Sequence, residues 1–505
     1  MRRNLTLLRP TAAILLLAAT SLATQAQSDP KRIEVHIDGL IGDTVYLANY
    51  YGNRLYYADT AVANNKGVAV FQHPDGYPAG VYAVVIPGPK YFELVVNEPS
   101  VVLHTKATDL MGALKVVNSK ENEIFLDYIR FLNARKADGD TLRNRLEATA
   151  DPIAKADIRQ RMNALDSTVK AYQRQVVETH KGKLAAALVH MGMAVERDPI
   201  MKADGTMDSA ATYYDHRAHY WDHFDLNDPR IVRVPVFANK LEEYMKRFPQ
   251  FPDTINKAAD DLIARINDPE VFKYTVHTWT HKYETSDIMG MDAVFVHMAQ
   301  TYYCPAPGRP SRTPWMDDEK LTKLCERARK LAPLTIGTLS KNLILPDTTE
   351  QQWVNMHRLP NEFLVLVFWD PHCGVCKKEL PALYEVYRDS LRPMGVEVVA
   401  VAKAVEESLM RDWKKFIREK GLDWVNMALT KTVYDEARTD ASKYIPKYTT
   451  IESLNYADTY DVYSTPKVFL LDGERRIVGK QLTPEQMVDL VKRFQEANAR
   501  TKSNK

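Results

Sequence analysis

Phe363-Leu-Val-Leu-Val-Phe368-Trp369-Asp370-Pro371-His372-Cys373-Gly374-Val375-Cys376-Lys377-Lys378-Glu379 is the stretch that decides the fold of the C-terminal region. The apolar run Phe363 to Phe368 has the length and β-branched content of a buried strand, and the residues from Lys377 to Tyr387 have a helical period. Between them a short loop carries Cys-x-x-Cys. Strand, loop and helix place Cys373 at a helix N-terminus, where unpaired backbone N–H groups and the macrodipole favour negative charge. A thiol held there ionises more easily, and the thiolate is the species that attacks a disulfide. Cys376, one helical turn on, is placed to resolve the mixed disulfide that results. The pair therefore predicts a redox-active Cys373–Cys376 disulfide.

A half zinc site is the competing reading, and it needs two further ligands at suitable spacing. The other two cysteines, Cys304 and Cys325, lie far upstream and form no second Cys-x-x-Cys. His372 is adjacent to Cys373 and would crowd a metal. The dithiol carries the chemistry itself, so neither metal nor cofactor is expected.

The N-terminus sets the compartment. Arg2, Arg3 and Arg9 precede the apolar run Ala12-Ala-Ile-Leu-Leu-Leu-Ala-Ala19, and Thr24-Gln25-Ala26 offers small residues for cleavage. Residues 1–26 thus read as a secretory signal peptide, too short in its apolar run to span a bilayer. A periplasmic protein without stable membrane insertion is expected. Cleavage lowers Lys+Arg from 67 to 64 against 65 Asp+Glu. That balance argues against nucleic acid or an anionic membrane as partner. Four cysteines in 505 residues cannot staple an exported fold, so hydrophobic cores must hold it.

Three domains follow the leader. Residues 31–112 alternate apolar and polar positions between turn signals such as Pro74-Asp75-Gly76, which predicts a β-sandwich. Tyr50, Tyr51, Tyr56 and Tyr57 are expected there as half-buried strand residues rather than as a binding face. Residues 118–332 turn helical. Ile158, Met162, Leu165, Val169, Tyr172 and Val176 form a seam short enough to favour an intrachain hairpin over a free coiled coil. His216, His219 and His223 share one helical face, but among Tyr220, Trp221 and Phe224 they read as a packed aromatic face rather than a metal site. Cys304 and Cys325 flank a proline-rich loop and are expected to pair in an oxidising compartment, the alternative being two buried free thiols. Residues 335–505 alternate strands and helices and end in a hairpin and a helix, an α/β sandwich.

The segment Phe368 to Pro381 resembles the active-site segment of the TlpA/ResA/DsbE-like branch of thioredoxin-fold oxidoreductases, and Ser464-Thr465-Pro466 is similar to that superfamily's cis-proline loop. The resemblance covers about 165 residues, and the whole chain resembles multidomain secreted proteins of the Bacteroidota type. It implies that Cys373 attacks, that Cys376 resolves, and that Glu379 tunes thiol ionisation. It also implies that Trp369, His372, Thr465 and a cis Pro466 meet the substrate. Val367 stands where thioredoxins carry a buried aspartate, and Val375 replaces the proline often found before the second cysteine. The activity implied is reduction or exchange of disulfides in protein substrates, with a membrane electron donor restoring the dithiol. A long insertion around Tyr434 to Tyr460 is expected to shape the substrate groove.

Two other functions compete. A thiol peroxidase of the peroxiredoxin type would carry threonine and proline three and seven residues before its cysteine, where this chain has Asp370 and Leu366. An interaction scaffold with a non-catalytic module has no need of both cysteines and the Thr465-Pro466 loop.

Overall fold

The computed structural model of the protein describes residues 32–304, 306 and 312–503. The expected signal peptide and most of the proline-rich loop at 305–314 lie outside them. The chain divides into two compact units. One ends at Phe224 and takes in Arg233–Val236; the other takes Asp225–Val232 and runs on from Phe237.

The first unit opens with eight strands: β1 (Arg32–Asp38), β2 (Thr44–Tyr51), β3 (Arg54–Val62), β4 (Val68–Gln72), β5 (Gly80–Ile86), β6 (Lys90–Val96), β7 (Ser100–Lys106) and β8 (Lys115–Asn118). They form two four-stranded sheets, ordered β4-β1-β7-β8 and β3-β2-β5-β6. The two-residue period sends Ile33, Val35 and Ile37 of one sheet, and Val84, Leu94 and Val96 of the other, into a single buried cluster. The four tyrosines do not behave alike. Tyr50 is buried and donates to Glu93 at 2.6 Å, whereas Tyr57 on β3 is 71% exposed. Strand β3 lies at a sheet edge and pairs only with β2, so its side chains lack a neighbour on one side.

Helices Lys120–Ala148 and Pro152–Thr179 pack together as an intrachain hairpin. The first is locked to the sheet by Asn122, whose side chain accepts from the Val95 N–H at 2.8 Å and donates to its carbonyl at 2.7 Å. Glu121 accepts from the N–H groups of Leu184 and Ala185 at the start of helix Leu184–Gly192. The helical stretch at 118–332 is not one body, because its early helices group with the sheets and its later ones with the C-terminal module.

The histidine cluster is also rearranged. Helix Ser209–Ala218 stops before His219, so the three histidines do not share one helical face. His219 pairs with Asp222 at 2.6 Å, and the His223 ring lies against that of His190 at 4.2 Å. Trp221, between His219 and His223 in sequence, and Phe224, just after His223, are both buried. Among the described residues, no group of three or more His, Cys, Asp or Glu side chains could hold a metal ion.

In the second unit, helices Pro252–Ile263, Pro269–Glu284, Asp292–Met298 and Asp318–Leu331 precede the C-terminal module. Cys304 and Cys325 form a disulfide with Cα atoms 5.6 Å apart, joining helix Asp318–Leu331 to the end of the preceding helical segment. The module adds β9 (Ile344–Pro346), β10 (Trp353–Asn355), β11 (Phe363–Trp369), β12 (Val396–Ala404), β13 (Val425–Thr430), β14 (Lys467–Leu471) and β15 (Ile477–Lys480). Five of these build a mixed sheet ordered β13-β12-β11-β14-β15, with β11, β12 and β13 parallel and β14 and β15 antiparallel. The central strand β11 is buried on both faces. Phe363, Val365, Val367 and Trp369 enter one core; Leu364, Leu366 and Phe368 enter the other. This explains why its sequence is a continuous apolar run rather than an alternation. No helix among the described residues is long and apolar enough to cross a membrane.

Candidate active site

Strand β11 ends at Trp369, and the chain turns at once. Asp370 makes that turn: its side chain accepts from the His372 N–H at 2.8 Å and its carbonyl from the Cys373 N–H at 3.0 Å. Helix Gly374–Val386 then begins with Cys373 as its N-cap. The Cys373 sulfur accepts the Cys376 N–H at 3.3 Å, as a capping oxygen would, and faces the Thr465 carbonyl, also at 3.3 Å. Thr465 arrives on the loop before β14, the antiparallel neighbour of β11. Both cysteines are free thiols, Cys373 partly exposed and Cys376 buried.

The two thiols are driven apart in acidity. Burial works against ionisation of Cys373, but hydrogen bonds from the Cys376 thiol and backbone N–H, with Thr465 and Val375 behind them, outweigh it and lower its pKa. Cys376 is pushed up to about 11, first by burial and then by its hydrogen bond to Cys373. One sulfur is partly exposed and ionises the more easily. The other is buried and stays protonated.

The remaining expected residues are placed unequally. Pro466 follows a cis Thr465-Pro466 bond and lines a cavity of about 380 Å³ together with Glu379, Val367, Leu380 and Leu383. Glu379 is thus an exposed residue of the first helical turns that shares a cavity with the valine in the aspartate's place. His372 pairs with Asp412 at 2.9 Å, on helix Glu407–Lys420. Trp369, expected to meet substrate, is 1% exposed with its ring 5.3 Å from that of Phe416, and it also lines the groove beside Thr465. Its odd register on β11 sends it into the core with Val367 and Val365.

A groove of about 440 Å³ opens on the other side of Thr465. Phe368, Trp369, Lys403, Tyr434, Leu454, Tyr456, Val462 and Tyr463 line it with Asp370 and Asp458. Most of these come from the insertion after β13, which folds into helix Lys431–Thr439 and two short helical turns, Ile451–Leu454 and Tyr456–Thr459. Tyr463 is 76% exposed at its edge. Sequence reasoning missed Tyr463 and Lys403. The position of Tyr463 two residues before Thr465 was the available signal, since chain continuity alone brings it to the cysteines.

The AhpC/TSA family model matches residues 336–479, and a domain of unknown function, DUF5106, matches residues 206–332. Among curated proteins, the chain is similar to the thiol-disulfide oxidoreductase ResA of Bacillus subtilis, with 25% identity over 142 residues. That match covers 28% of this chain and 64% of the relative, so the chain spans less than two thirds of its length. Among solved structures, a domain of a possible thiol-disulfide isomerase from Cytophaga hutchinsonii is 27% identical, with a TM-score of 0.27, over 33% of this chain and 98% of that one. A thioredoxin-like protein from Bacteroides caccae is 16% identical, with a TM-score of 0.39, over 59% of this chain and 98% of that one.

Proposed function

The C-terminal module being of the TlpA/ResA-like thioredoxin fold, we propose that this chain is a periplasmic thiol–disulfide oxidoreductase whose Cys373–Cys376 dithiol reduces, or exchanges, disulfides of other proteins. The observation that carries this reading is the split between the thiols: a partly exposed Cys373 that caps the helix and faces the Thr465 carbonyl at 3.3 Å, and a buried Cys376 one turn on, with the acidity of the first raised and of the second lowered.

The chemistry follows from that split. The Cys373 thiolate attacks one sulfur of a substrate disulfide, so that a Cys373–substrate bond forms as the substrate bond breaks. The departing sulfur leaves as a thiolate and takes up a proton. Cys376 then loses its proton and attacks the Cys373 sulfur, which expels the second substrate sulfur. Two electrons and two protons have passed to the substrate, and the protein keeps a Cys373–Cys376 disulfide. A membrane dithiol donor restores the thiols by the same exchange in reverse. Glu379, sharing a cavity with Val367 where no aspartate stands, is proposed to tune proton loss from this pair. The leader at residues 1–26 supports export, and the two sheets sharing one core support the reading of the N-terminal region as a β-sandwich.

The AhpC/TSA family also covers peroxidases, which makes peroxide the rival substrate. Asp370 and Leu366 at the diagnostic positions, and a second thiol one turn from the first, favour disulfide exchange. The test is a direct comparison of pre-reduced protein with oxidised insulin and with hydrogen peroxide. Oxidation of the dithiol by insulin at the higher rate supports the proposal, and preferential oxidation by peroxide overturns it.

A further inference from the structure

Helix Asp318–Leu331 lies outside the strands and helices of the redox module, yet one of its side chains bonds to two residues that line the groove beside Thr465. Lys330 donates to Asp458 at 2.6 Å and to the Tyr463 hydroxyl at 3.0 Å, with its ammonium 5.6 Å from the Tyr463 ring centroid. Asp458 and Tyr463 both line that groove. They lie 128 and 133 residues from Lys330 in sequence, so nothing local brings them together.

The helix that carries Lys330 is itself held at several points. Cys325 ties it to Cys304, and Arg327 pairs with Glu284 at 3.0 Å. Ala328 is wholly buried. Just beyond the helix, the Leu334 carbonyl accepts from Lys480 of β15 at 2.9 Å, which fastens it to the redox sheet. Lys330 is therefore a fixed point that ties the edge of the groove to the upstream helix. An ion pair with a partner 70% exposed contributes little to folding. Its consequence lies in where it holds Tyr463, a groove-lining aromatic side chain that is 76% exposed.

We infer that Lys330 is a positioning residue for substrate: it fixes Asp458 and Tyr463 at the rim of the groove beside Thr465, and through them the upstream helix takes part in selecting the polypeptide whose disulfide reaches Cys373. The inference rests on the proposed oxidoreductase function. It also gives the helical region upstream of the module a role at the redox site. The groove's lining of Phe368, Leu454, Tyr456, Val462 and Tyr463 suits a large apolar side chain of the substrate flanking its cysteine.

The test separates the groove from the sulfur chemistry. Pre-reduced full-length protein is mixed with oxidised insulin or with hydroxyethyl disulfide, a molecule too small to need the groove, and loss of thiols is followed in a single turnover. Lys330→Met should raise the half-saturating insulin concentration about three- to fivefold, as expected for loss of one exposed charged contact. Its limiting rate, and its rate with hydroxyethyl disulfide, should match the wild type, and Lys330→Arg should restore insulin saturation. An unchanged insulin half-saturation in Lys330→Met, or an equal loss with both substrates, overturns the positioning role while leaving the oxidoreductase reading intact. A wild-type protein that reacts with neither disulfide removes both.

Discussion

The sulfur of Cys373 lies 3.3 Å from the carbonyl oxygen of Thr465, a residue 92 positions further along the chain. Two non-adjacent segments thereby meet at one atom. A helix N-terminus supplies the donors that favour a thiolate, and the loop before β14 supplies a backbone edge along which an extended polypeptide could lie.

The acidity split has a pH signature. A lowered pKa means that Cys373 becomes thiolate at lower pH than an ordinary thiol of about 8.5, whereas Cys376 stays protonated until the region of pH 11. Iodoacetamide at neutral pH should therefore modify Cys373 alone, with Cys376 reacting only at strongly alkaline pH. Mass mapping of alkylated peptides across a pH series reads this directly. Equal modification of both thiols at pH 7 contradicts it.

Glu379→Gln should leave the fold intact, because the residue is exposed, and should lower the apparent pKa of the dithiol by removing a nearby negative charge. The two thiols titrate together, so the shift belongs to the pair rather than to one sulfur. The alkylation profile of the variant is the measurement. A curve superimposing on the wild type would reduce Glu379 to a surface acid.

The Cys304–Cys325 bond closes a segment of 21 residues, and on the chain-entropy model its loss should cost about 3 kcal/mol of stability. Cys325→Ser should show a lowered denaturation midpoint in the second unit while Cys373 remains reactive. Non-reducing peptide mapping should recover the two cysteines linked. Finding both as free thiols in protein purified without reductant contradicts the pairing.

What could be read in the sequence was mostly local. The apolar run of β11, the turn at Asp370 and the helix bearing both cysteines are contiguous, so pattern and spacing suffice to place Cys373 at a helix start. Thr465 and Pro466 were reachable only through resemblance, since 92 residues separate them from Cys373. Trp369 is almost wholly buried and yet lines the groove, and a strand buried on both faces gives no sequence signal for which residues also reach its rim. The break near Phe224 was invisible for a related reason. The early helices are tied to the sheets by buried polar pairings such as Asn122 with Val95, which composition does not reveal. The bond from Lys330 to Tyr463 spans 133 residues and joins two exposed side chains, so neither periodicity nor motif marks it.

The central claim is that Cys373 attacks and Cys376 resolves. Its most direct measurement is non-reducing electrophoresis of Cys376→Ser protein after reaction with a protein disulfide, run beside Cys373→Ser. With Cys376 absent, the mixed disulfide on Cys373 has nothing to resolve it. The variant should therefore accumulate a reductant-sensitive adduct with its substrate, and Cys373→Ser should form none and lose disulfide reduction. A Cys373→Ser protein that keeps full activity, or a folded Cys376→Ser protein that traps no partner, would contradict the account.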